Sequence, residues 1–288
     1  MKYFPEKIVE KFTQLDRHTE WIEVDSKAFD FKTFHPQGLV FVDENIFLSS
    51  VEVFTWPTKN EKDIFITSGD GVGHVFIANQ SGNLIDDVKI SEGSMYHPGG
   101  IDFDGELIWI PVCEYRPDGK SFIATFNPRS HKVVKRFNVN DAIGWVVADP
   151  DKMLVYGGNW GSRLLYTWDQ NGKIINQWKN PSRFIDYQDC TFIGNGKVVA
   201  SGISSIKQAK LQKKSVDSFE LGGFALLDFS THRIVHEFPL QMYSKANNSL
   251  ARNPFNFAFG KEGISIYVAP DDGEDIGGTV LLNLIPQN

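Results

Sequence analysis

The chain has 288 residues, 41% apolar and 23% charged, with Lys+Arg 29 against Asp+Glu 36 and a net charge of −7. That composition supplies a large core and excludes extended disorder, and its acidic balance argues against nucleic acid or an anionic membrane as partner, because phosphate binding needs clustered cations. Two cysteines, Cys113 and Cys190, exclude a disulfide framework, and without a CxxC pair they give no structural zinc site.

The N-terminus carries Glu6, Lys7, Glu10 and Lys11, which interrupt any apolar run of signal-peptide or membrane-spanning length. A soluble, cytoplasmic protein is the expectation. Residues 6–15 have the period of one short amphipathic helix, and little else is helical. Glu20–Val24 (EWIEV) then alternates as a half-buried strand does.

From His35 onward the chain reads as short β runs divided by Gly, Asn, Asp and Pro turns. The clearest unit runs from His97 to Val139 and contains four strand-like runs, the content of one propeller blade. The segment from His35 matches its first half. Glu52 lies 17 residues after His35, and Glu114 lies 17 after His97. A third unit covers Gly144–Trp178. A fourth begins at Tyr187 and carries a long insertion, and a fifth begins at Asn253 and ends with only three strands. The strand at 19–25 would complete it, since an open blade would expose an unpaired edge. The reading is one all-β domain over 1–288, a five-bladed β-propeller closed by an N-terminal strand. Its blades fall near 35–90, 97–139, 144–178, 187–240 and 253–285 plus 19–25. A sixth blade follows if residues 54–73 hide a hairpin pair, and a two-sheet sandwich is the plainer arrangement of the same strands.

Short turns fall on one face of such a ring and long segments on the other. Phe54–Gly73, Ile203–Gly222 with Lys207, Lys210, Lys213 and Lys214, Gln241–Arg252 and Pro270–Gly277 all belong to the second face, where binding is expected. The starts of innermost strands and the ends of the next strands converge there. His35, Gln37, His97, Trp145, Tyr187, Gln188, Asn253 and Asn256 come from the first group. Glu52, Glu114, Asn159, Ser204 and Asp271 come from the second, with Arg116, Trp160 and Arg163 just beyond. Polar groups gathered at one geometric spot define a candidate site for a small polar molecule.

Two chemistries fit that set. Oxygen ligands from Glu52, Glu114, Asn159 and Asp271 suit Ca²⁺ or another divalent metal, and adding His35 and His97 shifts the preference toward Zn, Mn or Fe. A metal-dependent hydrolase or lyase would then use Asp189 or His97 as general base and Arg116 or Arg163 to hold an anionic substrate. Alternatively the mouth binds a ligand or a protein partner without catalysis. Each piece also has a structural use: HPxG as a turn, the two Glu as ion-paired closure residues, Asp189 as a loop cap, Cys190 as a buried thiol. No HExxH, EF-hand, GxSxG or P-loop pattern is present, and GDGVG at Gly69–Gly73 lacks the strand-to-helix context of a phosphate loop.

HPGG at His97–Gly100 and EYRP at Glu114–Pro117 resemble an uncharacterised bacterial propeller family over most of the chain. The layout is similar, more distantly, to the gluconolactonase and senescence-marker propellers. That resemblance implies a metal held by Glu52 or Glu114, Asn159 and Asp271. It departs from them in blade count, five against six, and in the two HPxG motifs.

Overall fold

A computed structural model describes residues 5–62, 64–206 and 219–287. The chain opens with helix α1 (Pro5–Phe12) and strand β1 (Trp21–Ala28). The first blade is β2 (His35–Val42), β3 (Asn45–Thr55), β4 (Asp70–Asn79) and β5 (Leu84–Lys89). In the second, β6 (Met95–Pro98) and β7 (Asp102–Phe103) both pair with β8 (Ile108–Glu114), followed by β9 (Ser121–Asn127) and β10 (Lys132–Val139). The third holds β11 (Ile143–Asp149), β12 (Leu154–Asn159), β13 (Leu164–Asp169) and β14 (Ile174–Lys179). The fourth holds β15 (Asp186–Gly194), β16 (Lys197–Ile206), β17 (Phe219–Asp228) and β18 (Arg233–Leu240). In the last, β19 (Phe255–Gly260), β20 (Gly263–Val268) and β21 (Val280–Pro286) are completed by β1.

This is a five-bladed β-propeller closed by its N-terminal strand. Pairing of β1 with β21 runs from Trp21–Pro286 to Ala28–Val280 and covers the edge that β21 would otherwise expose. Residues 54–55 and 70–73 belong to β3 and β4, and the described residues between them form no sixth blade but a loop with the bridge Lys59–Phe65. The sandwich arrangement is likewise replaced by a ring of five sheets.

Burial explains the sequence patterns. Inner strands such as β2 and β8 lie between neighbouring blades and read as continuous apolar runs. Outer strands such as β5 and β14 alternate, because only one face is covered. Between the first two blades, Val40, Phe47 and Val75 pack with Ile108, Ile110 and Phe126. Helix α1 lays Ile8 and Phe12 into the core shared by the fourth and fifth blades, with Phe12 5.4 Å from the Phe238 ring. The short turns lie as expected; Asp43 and Asn195 take positive φ there, which Asp and Asn tolerate best after Gly.

Two devices organise the axis. Asp189 is fully buried, and its carboxylate accepts the backbone N–H of Leu39 (3.0 Å), Ile101 (3.0 Å), Cys190 (3.0 Å) and Phe255 (2.9 Å). One side chain thus ties the innermost segments of the first, second, fourth and fifth blades. Gly100 makes room for it: a Cβ there would sit 2.6 Å from Asp189 Oδ1. The third blade joins through Gly100, whose N–H donates to Gly144 at 2.9 Å and whose carbonyl accepts from Val146 at 3.3 Å.

The second device is a recurring register break. The first four blades each shift register near the start of the innermost strand, between Pro36 and Gly38, Met95 and His97, Ile143 and Trp145, and Tyr187 and Asp189. A bulge re-aims the extra residue. Three of those residues, Gln37, Gly144 and Gln188, border the cavity described next.

Candidate functional site

A cavity of about 410 Å³ opens on the long-loop face above the axis. The HP repeats build one side of it. His35 pairs with Val51 and His97 with Cys113, the same register in both blades. This brings the two imidazoles to a centroid distance of 6.3 Å. His97 packs against Tyr115 at 4.1 Å and Trp160 at 5.7 Å, and those two rings lie 5.4 Å apart. The result is an aromatic wall.

The rest of the wall is polar. His35 Nδ1 lies 2.7 Å from Asp272 Oδ1, and Arg252 donates to the other oxygen of Asp272 at 3.4 Å. Burial would raise the Asp272 carboxyl, but the His35 hydrogen bond and the charges of His35 and Arg252 outweigh it and hold its pKa below the usual value. Gln188 Oε1 accepts from the Asn253 N–H at 3.4 Å. Ser204, Ser205, Asp186 and Glu220 complete the rim.

His97 is the unusual member. It is 7% exposed, and its Nε2 is sealed from solvent without a hydrogen-bond partner. Burial, reinforced by His35, pushes its pKa down to about 3, so the ring is neutral at neutral pH. Burial first, then the Asp272 charge, pushes the Tyr115 phenol up to about 12 against the pull of Arg252. The Cys113 thiol, also on the wall, is pushed up to about 12 by burial and stays protonated.

Of the residues singled out in the sequence, the cavity gathers His35, Gln37, His97, Asn159, Trp160, Tyr187, Gln188, Ser204 and Asn253. Asn159 reaches it with its amide already engaged by Asp141 at 3.1 Å and by the Leu164 N–H at 2.9 Å. Tyr187 borders the cavity and belongs to the core cluster that also holds Trp145.

The others lie elsewhere. Trp145 is buried, with Nε1 bonded to Ser162 at 3.2 Å. Glu52 stands 3.7 Å from His74 Nε2. Glu114 accepts from Ser94 at 2.7 Å and pairs with Arg116 at 3.0 Å. Asp271 accepts from Ser244 and, at 2.9 Å, from Asn248, fixing the crossover before β19. Arg163 is spent on the carbonyls of Gly161 and Ser182, both at 2.6 Å, and on Asp186 at 3.1 Å. Asn256 borders a depression at the opposite end of β19, beside Thr191 and Asp43. Asp189, with four N–H groups on two oxygens, is absent from the cavity wall. Lys207, Lys210, Lys213 and Lys214 lie outside the described residues.

Glu52, Glu114, Asn159 and Asp271 therefore each have separate partners. Among the described residues no three His, Cys, Asp or Glu side chains gather as a metal ion requires. Sequence reasoning did not name Arg252, Asp272 or Tyr115 as site residues, although each lies inside a segment it singled out: Gln241–Arg252, Pro270–Gly277 and Glu114–Pro117.

The fold and cavity define the class: a five-bladed β-propeller with an axial cavity on its long-loop face. The chain belongs to DUF6454, a family of unknown function, which it matches over residues 4–283. No curated protein matches. Among solved structures, a hypothetical protein from Leishmania major is 11% identical, with 91% of this chain and 90% of that one covered, at a TM-score of 0.52. The tail fiber of Staphylococcus aureus phage P68 is 10% identical at a TM-score of 0.51; 96% of this chain matches, spanning 55% of the fiber chain. Both likenesses concern the fold. Among the described residues no helix is long and apolar enough to cross a membrane.

Proposed function

We propose that the protein binds a small, neutral, polyhydroxylated ring, a monosaccharide or close relative, in the axial cavity. The observation that carries this reading is the pairing of an aromatic wall with a polar wall whose arginine, Arg252, is already engaged by Asp272. Flat apolar faces of sugars pack on aromatic rings, and their hydroxyls need donors and acceptors arranged around them. The volume falls within the range of about 300–1,000 Å³ common for ligand sites.

Charge argues for a neutral ligand. Among the described residues Arg252 is the Lys or Arg side chain on the wall, and it already contacts Asp272. Asp186 and Glu220 add carboxylates. An anion would meet no surplus positive charge, and Arg116 and Arg163, the cations that would have held one, are committed to Glu114 and Asp186.

Calorimetric titration with a panel of aldohexoses, aldopentoses and their methyl glycosides, beside gluconate and glucuronate, tests the reading. At least one neutral sugar should bind more tightly than either anion. Trp160→Ala should weaken that sugar by about tenfold, which corresponds to about 1.4 kcal/mol. Absence of binding across the neutral panel would overturn the reading.

A further inference from the structure

Resting on that reading, we propose that the cavity is also catalytic: it interconverts the anomers of a free aldose, with His35 as general base, Tyr115 as general acid and Asp272 as the residue that positions the base.

The geometry of His35 carries the argument. Its Nδ1 lies 2.7 Å from an Asp272 oxygen. A carboxylate there accepts the Nδ1 proton, which places the imidazole lone pair on Nε2. Arg252 on the second oxygen keeps Asp272 ionised, so the tautomer is held. The same contact occurs at His74 and His131, away from the cavity; only at His35 does it stand in the cavity wall, where a proton-transfer step can use the oriented ring.

Tyr115 supplies the complementary group. It lines the same cavity, it remains protonated at neutral pH, and its ring reaches the pair of histidines through His97, 4.1 Å away. A nucleophile is not required. Cys113 is a protonated, buried thiol, and the step proposed forms no bond to the protein.

The step balances within the sugar itself. His35 Nε2 takes the proton of the anomeric hydroxyl as the bond between the anomeric carbon and the ring oxygen breaks. Tyr115 gives a proton to that ring oxygen. The product is the open-chain aldehyde. Rotation about the adjacent carbon–carbon bond presents the other face of the carbonyl. Closure then runs the transfers backward: the hydroxyl returns its proton to Tyr115 and attacks the carbonyl, and His35 protonates the new anomeric oxygen. No oxidant, reductant or second substrate is consumed.

Magnetisation-exchange NMR of each sugar that binds, supplemented by polarimetry on freshly dissolved single anomers, measures anomer exchange with and without protein. Positioned acid–base groups typically contribute about 10²–10⁴-fold, so a bound sugar should interconvert at least about a hundredfold faster than the spontaneous reaction. His35→Asn and Tyr115→Phe should return the rate to the spontaneous one while calorimetry still detects the sugar. Asp272→Asn should lower the rate and move its pH profile, because an amide no longer holds the Nδ1–H tautomer; a purely structural role would lower melting temperature without moving the profile. A sugar that binds but exchanges no faster with protein than without overturns catalysis and leaves the binding reading standing. Acceleration retained in both His35→Asn and Tyr115→Phe overturns the assignment of base and acid. If no sugar in the panel binds, both proposals fall.

Discussion

The axis and the cavity directly above it are made of the same strands, yet they treat buried polar groups in opposite ways. On the axis, Asp189 is completely buried and has four backbone N–H partners. At the cavity wall, His97 is nearly as buried and its Nε2 has none. Unpaired buried polar atoms are rare, because each forfeits its hydration without replacement. A fold that spends a whole carboxylate on four N–H groups and leaves an imidazole unpaired above them separates two purposes. Asp189 serves the ring, whereas His97 borders the cavity in which we propose the ligand sits.

The largest test of that contrast removes the axial carboxylate. Asp189→Ala leaves N–H groups of four segments unpaired at about 1–3 kcal/mol each, so a loss of at least about 4 kcal/mol is expected. Asp189→Asn keeps the volume, but two N–H groups sit on each oxygen, so either orientation of the amide removes one acceptor oxygen and leaves two N–H groups unpaired. A loss of about 2–6 kcal/mol follows. Urea unfolding of both variants measures it. A neutral outcome for the alanine variant would end the idea that this side chain holds the ring together.

Acid provides the next test, at the cavity. His97 has a folded pKa of about 3 against an ordinary value of 6.5. A depressed pKa means that its contribution is fully present above the unfolded value and is lost as pH falls toward the folded one. Between pH 6.5 and pH 5 the loss amounts to about 2 kcal/mol, at about 1.4 kcal/mol per unit. Asp272, also depressed, adds its own loss only below its ordinary carboxylate value of 3.8. The two are separable by window: His97→Phe should remove the component between pH 6.5 and 5 and leave the more acidic one. Equal pH dependence in wild type and variant across that window would show that His97 does not carry it.

The same variant makes a smaller prediction at neutral pH. Phenylalanine keeps a ring against Tyr115 and Trp160 and discards the unpaired nitrogen. It should raise stability by about 1 kcal/mol, the low end of the cost of an unpaired buried acceptor. A gain from replacing a polar side chain at this wall would show that stability did not select the histidine.

Strand repeats made the ring readable from the chain. Turn residues, blade-length periods and a last unit one strand short pointed to five blades closed from the N-terminus. The cavity was readable only to within one residue, and strand alternation makes one residue decisive. Glu52 and Glu114 each follow the residue paired with a histidine, Val51 and Cys113, so their side chains leave by the other face. The first finds His74 and the second Arg116. Asp271 turns into the crossover and Asp272 meets His35. Arg252 comes from a segment without strand period, so no register argument could place it. Asp189 reads as polar and central, but nothing in a sequence tells a carboxylate that faces four N–H groups from one that faces a ligand.

The last and smallest effect compares Arg116, which the sequence offered as a ligand clamp, with Arg252, which the structure places on the cavity wall. Arg116 follows the EY pair in the loop after β8, and its guanidinium is partly exposed, paired with Glu114 at 3.0 Å. Partly exposed ion pairs contribute about 0–1 kcal/mol, since water competes for both charges. Arg116→Ala should therefore cost less than about 1 kcal/mol and leave sugar affinity unchanged, because the side chain is no part of the cavity wall. Arg252→Met differs in kind. It removes a wall residue and one of the two partners of Asp272, so it should weaken sugar binding even where the melting temperature is preserved. Calorimetry on the two variants side by side decides the matter. An affinity loss in Arg116→Ala that matches or exceeds that in Arg252→Met would move the ligand outward, from the cavity to the rim around Tyr115 and Arg116.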